Sequence, residues 1–270
     1  MRLFVFGLGY TASRLAAALE VRDWRAAGVG RNDFADRARV EFEVARATHI
    51  LSSVPPGEAD PVLEAYGDAI AASGAWLGYL SSTGVYGDTG GAWVDESAPT
   101  GGGRRSARAV ADGAWLGLGA RVFRLPGIYG PGRSALDRIP PVRVDAPGQV
   151  FSRIHVDDIV SGVIAGFDAP PGAYNLADDC PAPQSEVVAL ACALLGKPAP
   201  PLVPLASAGL SPQARAFYGE NRRVANGKAR RVLGWAPLYP DYRFGLRALS
   251  AMTSPASAST APPAASHDHR

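Results

Sequence analysis

Val5-Phe6-Gly7-Leu8-Gly9-Tyr10-Thr11-Ala12 reads as the end of a strand, a glycine turn and the start of a helix. That order makes a site for a pyrophosphate. Gly7 supplies the backbone freedom of a tight turn, Gly9 leaves no Cβ between backbone and phosphate, and Ala12 is small enough for helix to pack on strand. The helix N-terminus then faces the anion. The apolar run Leu3 to Phe6 precedes the turn. Behind it, Ala12, Leu15, Ala16 and Leu19 fall at i, i+3, i+4 and i+7, one apolar stripe suited to lying on a sheet. This context is what a dinucleotide fingerprint requires; the competing reading is an ordinary strand-to-helix turn.

Working outward, apolar runs recur at Ala26 to Val29, Thr48 to Val54, Trp76 to Ser81 and Ala120 to Leu125. Helical stripes separate them, among them Val62, Leu63, Tyr66, Ala69 and Ile70. The alternation predicts an α/β fold, a Rossmann-type doubly wound parallel sheet. Residues 1–252 read as one unit, with about 1–126 mainly dinucleotide-binding and about 127–252 mainly a smaller C-terminal substrate lobe with returning core elements. Pro and Gly crowd 127–148 and 198–212, as expected of loops at the carboxyl ends of strands. His155-Val156-Asp157-Asp158 precedes the stripe Ile159, Val160, Val163, Ile164 and Phe167, so an aspartate is expected to cap that helix. His155 and Asp157 read as strand-end and cap residues, and His49 as a boundary residue. The Ala, Ser, Pro and Thr-rich stretch 253–270 predicts a disordered tail.

Composition bounds the function. The 270 residues are 47% hydrophobic and 19% charged, with net charge +2, enough apolar content for a sizeable core. No dense basic run interleaves with aromatics, so nucleic acid is not an expected partner. No stretch is apolar for the roughly 18 residues a membrane span needs, and no leader pattern is visible, so a cytoplasmic location is expected. Cys180 and Cys192 are too few for a disulfide framework or a tetrahedral metal site, and read as buried thiols. No metal is expected.

The second predicted strand ends Gly28-Val29-Gly30-Arg31-Asn32. NAD sites place an acid about 20 residues past the glycines, whereas an arginine there accepts a 2′-phosphate. Arg31 therefore points to NADP through a charge-assisted guanidinium–phosphate pair. Asp33 keeps NAD open, because it would take the ribose if the strand ended two residues later.

Four further segments follow in order: Ser81-Ser82-Thr83-Gly84-Val85-Tyr86-Gly87, Arg124-Leu125-Pro126-Gly127-Ile128-Tyr129-Gly130-Pro131-Gly132, Arg153-Ile154-His155-Val156-Asp157-Asp158 and Tyr174-Asn175-Leu176-Ala177. Together they resemble the epimerase/dehydratase branch of the short-chain dehydrogenase/reductase superfamily. The resemblance implies that Ser82 hydrogen-bonds the reacting oxygen and that Pro126, Gly127 and Ile128 pass the nicotinamide. It also implies that the segment from Leu51 through Ser53 and Val54 runs along the cofactor. Gly7, Gly9, Tyr10, Thr11, Ala12 and Arg31 complete the expected cofactor site. Pairing as a homodimer through helices flanking the sheet is compatible with the resemblance, although no self-complementary stripe is readable.

The chain departs from that family at the proton donor. There, a tyrosine stands four residues before a lysine whose cation lowers the phenol pKa. Only Lys197 and Lys228 occur here, and neither follows a tyrosine by four. Aligning Ala111-Asp112 puts Arg108 at the lysine position and Arg104 at the tyrosine position. Arginine holds charge but does not trade protons. Tyr86, Tyr129 or a bound water remains as acid, and Arg108 reads as a fixed cation near the ribose or as a surface residue. Arg222-Arg223 reads as a phosphate contact or a solvated helix end. The sequence thus predicts an NAD(P)-binding oxidoreductase or epimerase acting on a small hydroxy, keto or nucleotide-sugar substrate with a non-standard proton donor. The alternative is a non-catalytic NADP(H) sensor.

Overall fold

The computed structural model describes residues 1–103 and 106–253. The first half alternates strands and helices: β1 (Arg2–Phe6), α1 (Tyr10–Glu20), β2 (Arg25–Val29), α2 (Arg37–Arg46), β3 (His49–Ser52), α3 (Pro61–Ala72), β4 (Trp76–Ser82), β5 (Trp93–Val94), α4 (Ser106–Gly117) and β6 (Arg121–Leu125). The rest is shorter elements: β7 (Gly127–Tyr129), β8 (Arg143–Asp145), β9 (Arg153–His155), α5 (Val156–Ala165), β10 (Gly172–Asn175), α6 (Gln184–Leu194), β11 (Leu202–Pro204), α7 (Pro212–Phe217), β12 (Arg223–Val224), α8 (Gly227–Leu233) and α9 (Tyr242–Thr253). Thr253, expected to open the tail, instead closes α9. The tail expectation for 254–270, and Arg104, lie outside the described residues.

Six strands form one parallel sheet in the order β10-β6-β4-β3-β1-β2. The chain leaves β1 to one side for β2 and crosses to the other for β3. That reversal opens a crevice at the carboxyl ends of the strands, where such sheets bind ligands. β10 comes from the second half and completes the sheet beside β6, a returning core element.

Alternation along the strands builds two cores. Leu3, Val5, Leu51, Leu80 and Phe123 face α1, α5 and α8 through Leu15, Leu19, Ile159, Val163 and Ala229. Phe4, Phe6, Ile50, Tyr79 and Val122 face α2, α3 and α4 through Val40, Val44, Tyr66, Ile70 and Trp115. Each large side chain buried this way contributes roughly 1.5–3 kcal/mol relative to exposure. Asp60 caps α3, accepting from Val62 N (2.9 Å) and Leu63 N (3.1 Å), and also accepts from Trp115 Nε1 (2.9 Å). His49 is buried against Trp24, Trp76 and Phe167, and burial pushes its pKa down to about 4. It is a core residue.

The cap of α5 differs from expectation. His155, not an aspartate, occupies the cap and accepts from Asp157 N at 3.2 Å. Asp157 turns instead to Arg14 of α1, which donates to it at 2.7 and 3.0 Å. Asp158 points inward and accepts from Leu238 N (2.6 Å) and Tyr239 N (3.2 Å). Of the two thiols, Cys192 is buried and Cys180 only half-buried, a correction to the expected pair of buried thiols. No helix among the described residues is long and apolar enough to cross a membrane.

Candidate functional site

The glycine turn takes the form its sequence implies. Gly7 has φ +85°, and a Cβ there would sit 3.0 Å from both Ser53 Oγ and Val54 Cγ2, so both conformation and space demand glycine. Its N–H donates to Val29 O (2.9 Å), Gly9 N donates to Gly7 O (2.8 Å), and the Ser53 hydroxyl donates to the Gly7 carbonyl. Helix α1 starts at Tyr10 with no side-chain cap and no acid in its first turn. Its leading N–H groups are left for an outside acceptor. A Cβ on Gly9 would meet nothing within 4 Å, and Gly9, Tyr10 and Thr11 all line the main cleft. Open space against unused donors fits a phosphate. Ala12 is fully buried in the core, as helix-on-strand packing requires. Tyr10 reaches across to donate to Pro131 O at 3.0 Å, with the Arg133 guanidinium 5.6 Å from its ring centroid.

Strand β2 ends at Val29, so Arg31 stands two residues beyond it, at the same sheet end as the glycine turn. Its side chain is exposed, lies outside the cleft lining, and has no hydrogen bond or ion pair among the described residues. Asp33 faces Arg39 at 3.7 Å.

The cleft encloses about 1330 Å³ over the carboxyl ends of β1, β3, β4 and β6. Ser53, Ser82, Pro126, Gly127, Ile128 and Arg108 all line it. Leu51 does not: it is buried in the core, and only the end of the segment from 51 to 54 reaches the opening. Val54 is half-buried beside Gly7. Ser82 Oγ accepts from Gly84 N at 3.1 Å, which leaves the hydroxyl proton available to a ligand. Arg108 projects from α4 toward Tyr79, lowering that phenol's pKa, but burial outweighs it and holds the phenol above its usual range. No well-formed hydrogen bond links the two.

Two candidate acids are placed otherwise. Tyr86 is 5% exposed and outside the cleft lining; its hydroxyl donates to Asn175 Oδ1 (2.7 Å) and accepts from Arg124 Nη1 (3.0 Å). Arg124 in turn grips Asp112 at 2.7 and 3.0 Å, and Ser81 Oγ donates to Asp112 at 2.7 Å. The VYG tyrosine is thus a strut beneath the site. Tyr129 lines the cleft, but its hydroxyl is buried without a hydrogen-bond partner among the described residues. It lies against α9, since a Cβ on Gly245 would overlap that oxygen. Burial, and then the charge of Asp178, push its pKa far up.

Arg222 and Arg223 are not a helix end. Arg222 donates to Gly87 O (2.6 Å) and Glu220 Oε2 (2.9 Å), while Arg223 enters β12 and donates to the Gly91 carbonyl. The sequence reading missed Arg153 as a cleft residue, although it opens one of the four quoted segments. Among the described residues no group of three or more His, Cys, Asp or Glu could hold a metal.

No family model matches the chain. A conserved protein of unknown function from Silicibacter pomeroyi DSS is 42% identical, with TM-score 0.84, covering 93% of this chain and 98% of that one. The human epimerase family protein SDR39U1, solved with NADPH, is 16% identical with TM-score 0.68 and covers 93% and 99% of the two chains. A 3-diazoavenalumate denitrifying reductase from Streptomyces sp is 32% identical over 154 residues, 52% of this chain and 49% of that protein. The chain thus spans about half the length of that curated relative. The chain belongs to one family with the Silicibacter pomeroyi protein, and its fold is that of the NAD(P)-dependent epimerase/dehydratase branch of the short-chain dehydrogenases/reductases.

Proposed function

We propose that the cleft binds NADP(H) along the turn from Gly7 to Ala12 and serves an oxidoreductase acting on a small carbonyl or hydroxyl compound. One observation carries the reading. A single cleft joins the open helix N-terminus at Gly9 to Thr11, the Pro126-Gly127-Ile128 wall and the Ser82 hydroxyl. Arg31 would meet the 2′-phosphate, and Ser53 would lie along the cofactor. The bound dinucleotide would supply hydride chemistry. Ser82 would donate a hydrogen bond from its free O–H to the substrate oxygen while Gly84 N–H fixes its orientation. Arg108 would hold positive charge at the cleft and, unable to release a proton, would leave protonation of the oxygen to cleft water. The Streptomyces relative's name favours the reductive direction.

NADPH consumption against a panel of aldehydes and ketones tests this. Wild-type turnover that falls about a hundredfold in Ser82→Ala, with cofactor affinity unchanged, is the expected result. A second reading rests on the missing tyrosine–lysine pair: a sensor of NADP(H) redox state, recognised by tight binding, discrimination between the oxidised and reduced forms, and no turnover.

A further inference from the structure

The cleft holds a positive charge that this chemistry does not use. Arg153, at the start of β9, is 7% exposed and lines the cleft. Its Nη1 donates to Phe151 O (2.8 Å) and Ala182 O (2.9 Å), and its Nη2 to Gln184 Oε1 (2.8 Å). All three acceptors are neutral. They occupy three of the five N–H groups of the guanidinium, and no carboxylate pairs with it among the described residues. A buried cation without an anion is costly. Asp178, whose charge would offset it, is itself 1% exposed with Oδ2 unpartnered among the described residues, and burial pushes its carboxyl up to about 8.

The surroundings of Arg153 are aromatic. Its guanidinium lies 6.0 Å from the Phe151 ring centroid and 5.9 Å from that of Tyr242. Phe151 meets Tyr218 edge to face at 5.3 Å, and all of these rings line the cleft. Arg222, on the same lobe, already has Glu220 at 2.9 Å. Arg133 and Arg138, both exposed, and half-buried Arg108 also line the cleft, so Arg153 is the buried cation among its arginines that lacks a carboxylate partner, and it lies among flat apolar faces that suit a ring.

We propose that Arg153 and the rings of Phe151, Tyr218 and Tyr242 form a substrate subsite for an aromatic carboxylate. The carboxylate meets the remaining N–H donors of Arg153, and the substrate ring packs on the aromatic wall. This deepens the oxidoreductase reading by giving its substrate a chemical class.

Titration calorimetry of the full chain with 4-hydroxycinnamate, its methyl ester, cyclohexanecarboxylate, UDP and inorganic phosphate tests it, with and without NADPH. The acid is expected to bind, with the ester and the cyclohexane acid each at least about tenfold weaker, because each lacks one of the two recognised features. Arg153→Gln is expected to abolish the preference for acid over ester, and Arg153→Lys to restore part of it. Should Arg153→Gln fail to fold, the ligand series on the wild-type chain decides alone. Equal binding of acid and ester, no binding of either, or binding of UDP or phosphate in place of the acid would overturn the proposal. Loss of NADPH binding with acid binding intact would instead overturn the oxidoreductase reading and leave the subsite standing.

Discussion

The hydroxyl of Tyr86 donates to Asn175 Oδ1 at 2.7 Å, tying the turn after β4 to the end of β10 from beneath the cleft. Both residues are buried, and Arg124 adds a second bond to the same hydroxyl. Tyr86→Phe is therefore expected to lower unfolding free energy by about 1–3 kcal/mol while leaving cofactor affinity unchanged. Chemical denaturation and a cofactor titration on the same variant check it; a stable variant with lost turnover would make Tyr86 catalytic instead.

The two turn glycines separate folding from binding. Gly7 needs its positive φ and has two side-chain atoms at 3.0 Å from a would-be Cβ, whereas Gly9 has nothing within 4 Å. Gly7→Ala is expected to destabilise the fold by roughly 1–3 kcal/mol. Gly9→Ala is expected to keep the wild-type melting curve but to weaken dinucleotide binding at least about tenfold, because its methyl occupies the phosphate's space. Equal behaviour of the two variants would show that the turn is not used as described.

Burial of carboxyls sets an unusual pH response. Asp178 titrates near 8 in the fold against about 4 in an unfolded chain. The fold thus keeps its proton where the unfolded chain has lost it. The resulting stability is complete below about pH 4, is lost as pH rises toward 8, and changes no further above that. Asp158, pushed up to about 6 by burial, acts in the same direction over a narrower window. Urea midpoints between pH 5 and 9 should fall with rising pH in the wild type and fall less in Asp178→Asn. Parallel slopes would contradict the assignment.

The parts legible in sequence are those set by local pattern. The turn at Gly7 and Gly9 and the alternation of five sheet strands up to Leu125 follow from strand ends and short spacings, whereas the places of Ser82 and Pro126 to Ile128 in the cleft are implied by the family resemblance of their segments. Other features depend on what the chain folds against. Tyr86 reads from sequence as a candidate acid because its partner Asn175, 89 residues away, gives no local signal. Arg153 carries no local sign of its role in sequence, because its burial among Phe151, Tyr218 and Tyr242 requires three separate elements to converge. The α5 cap was misread because two aspartates follow His155, and their outlets, Arg14 and the backbone at Leu238 and Tyr239, lie far off in sequence.

The central claim is that the turn and Arg31 hold a phosphorylated dinucleotide. Calorimetric titration of cofactor-stripped protein with NADPH, NADP⁺, NADH and NAD⁺, repeated on Arg31→Ala, tests it most directly. Binding of the phosphorylated pair, weakened about ten- to a hundredfold in the variant while any binding of NADH and NAD⁺ is unaffected, is the predicted result. Failure of all four to bind, or equal affinity of Arg31→Ala and wild type for NADPH, would contradict it.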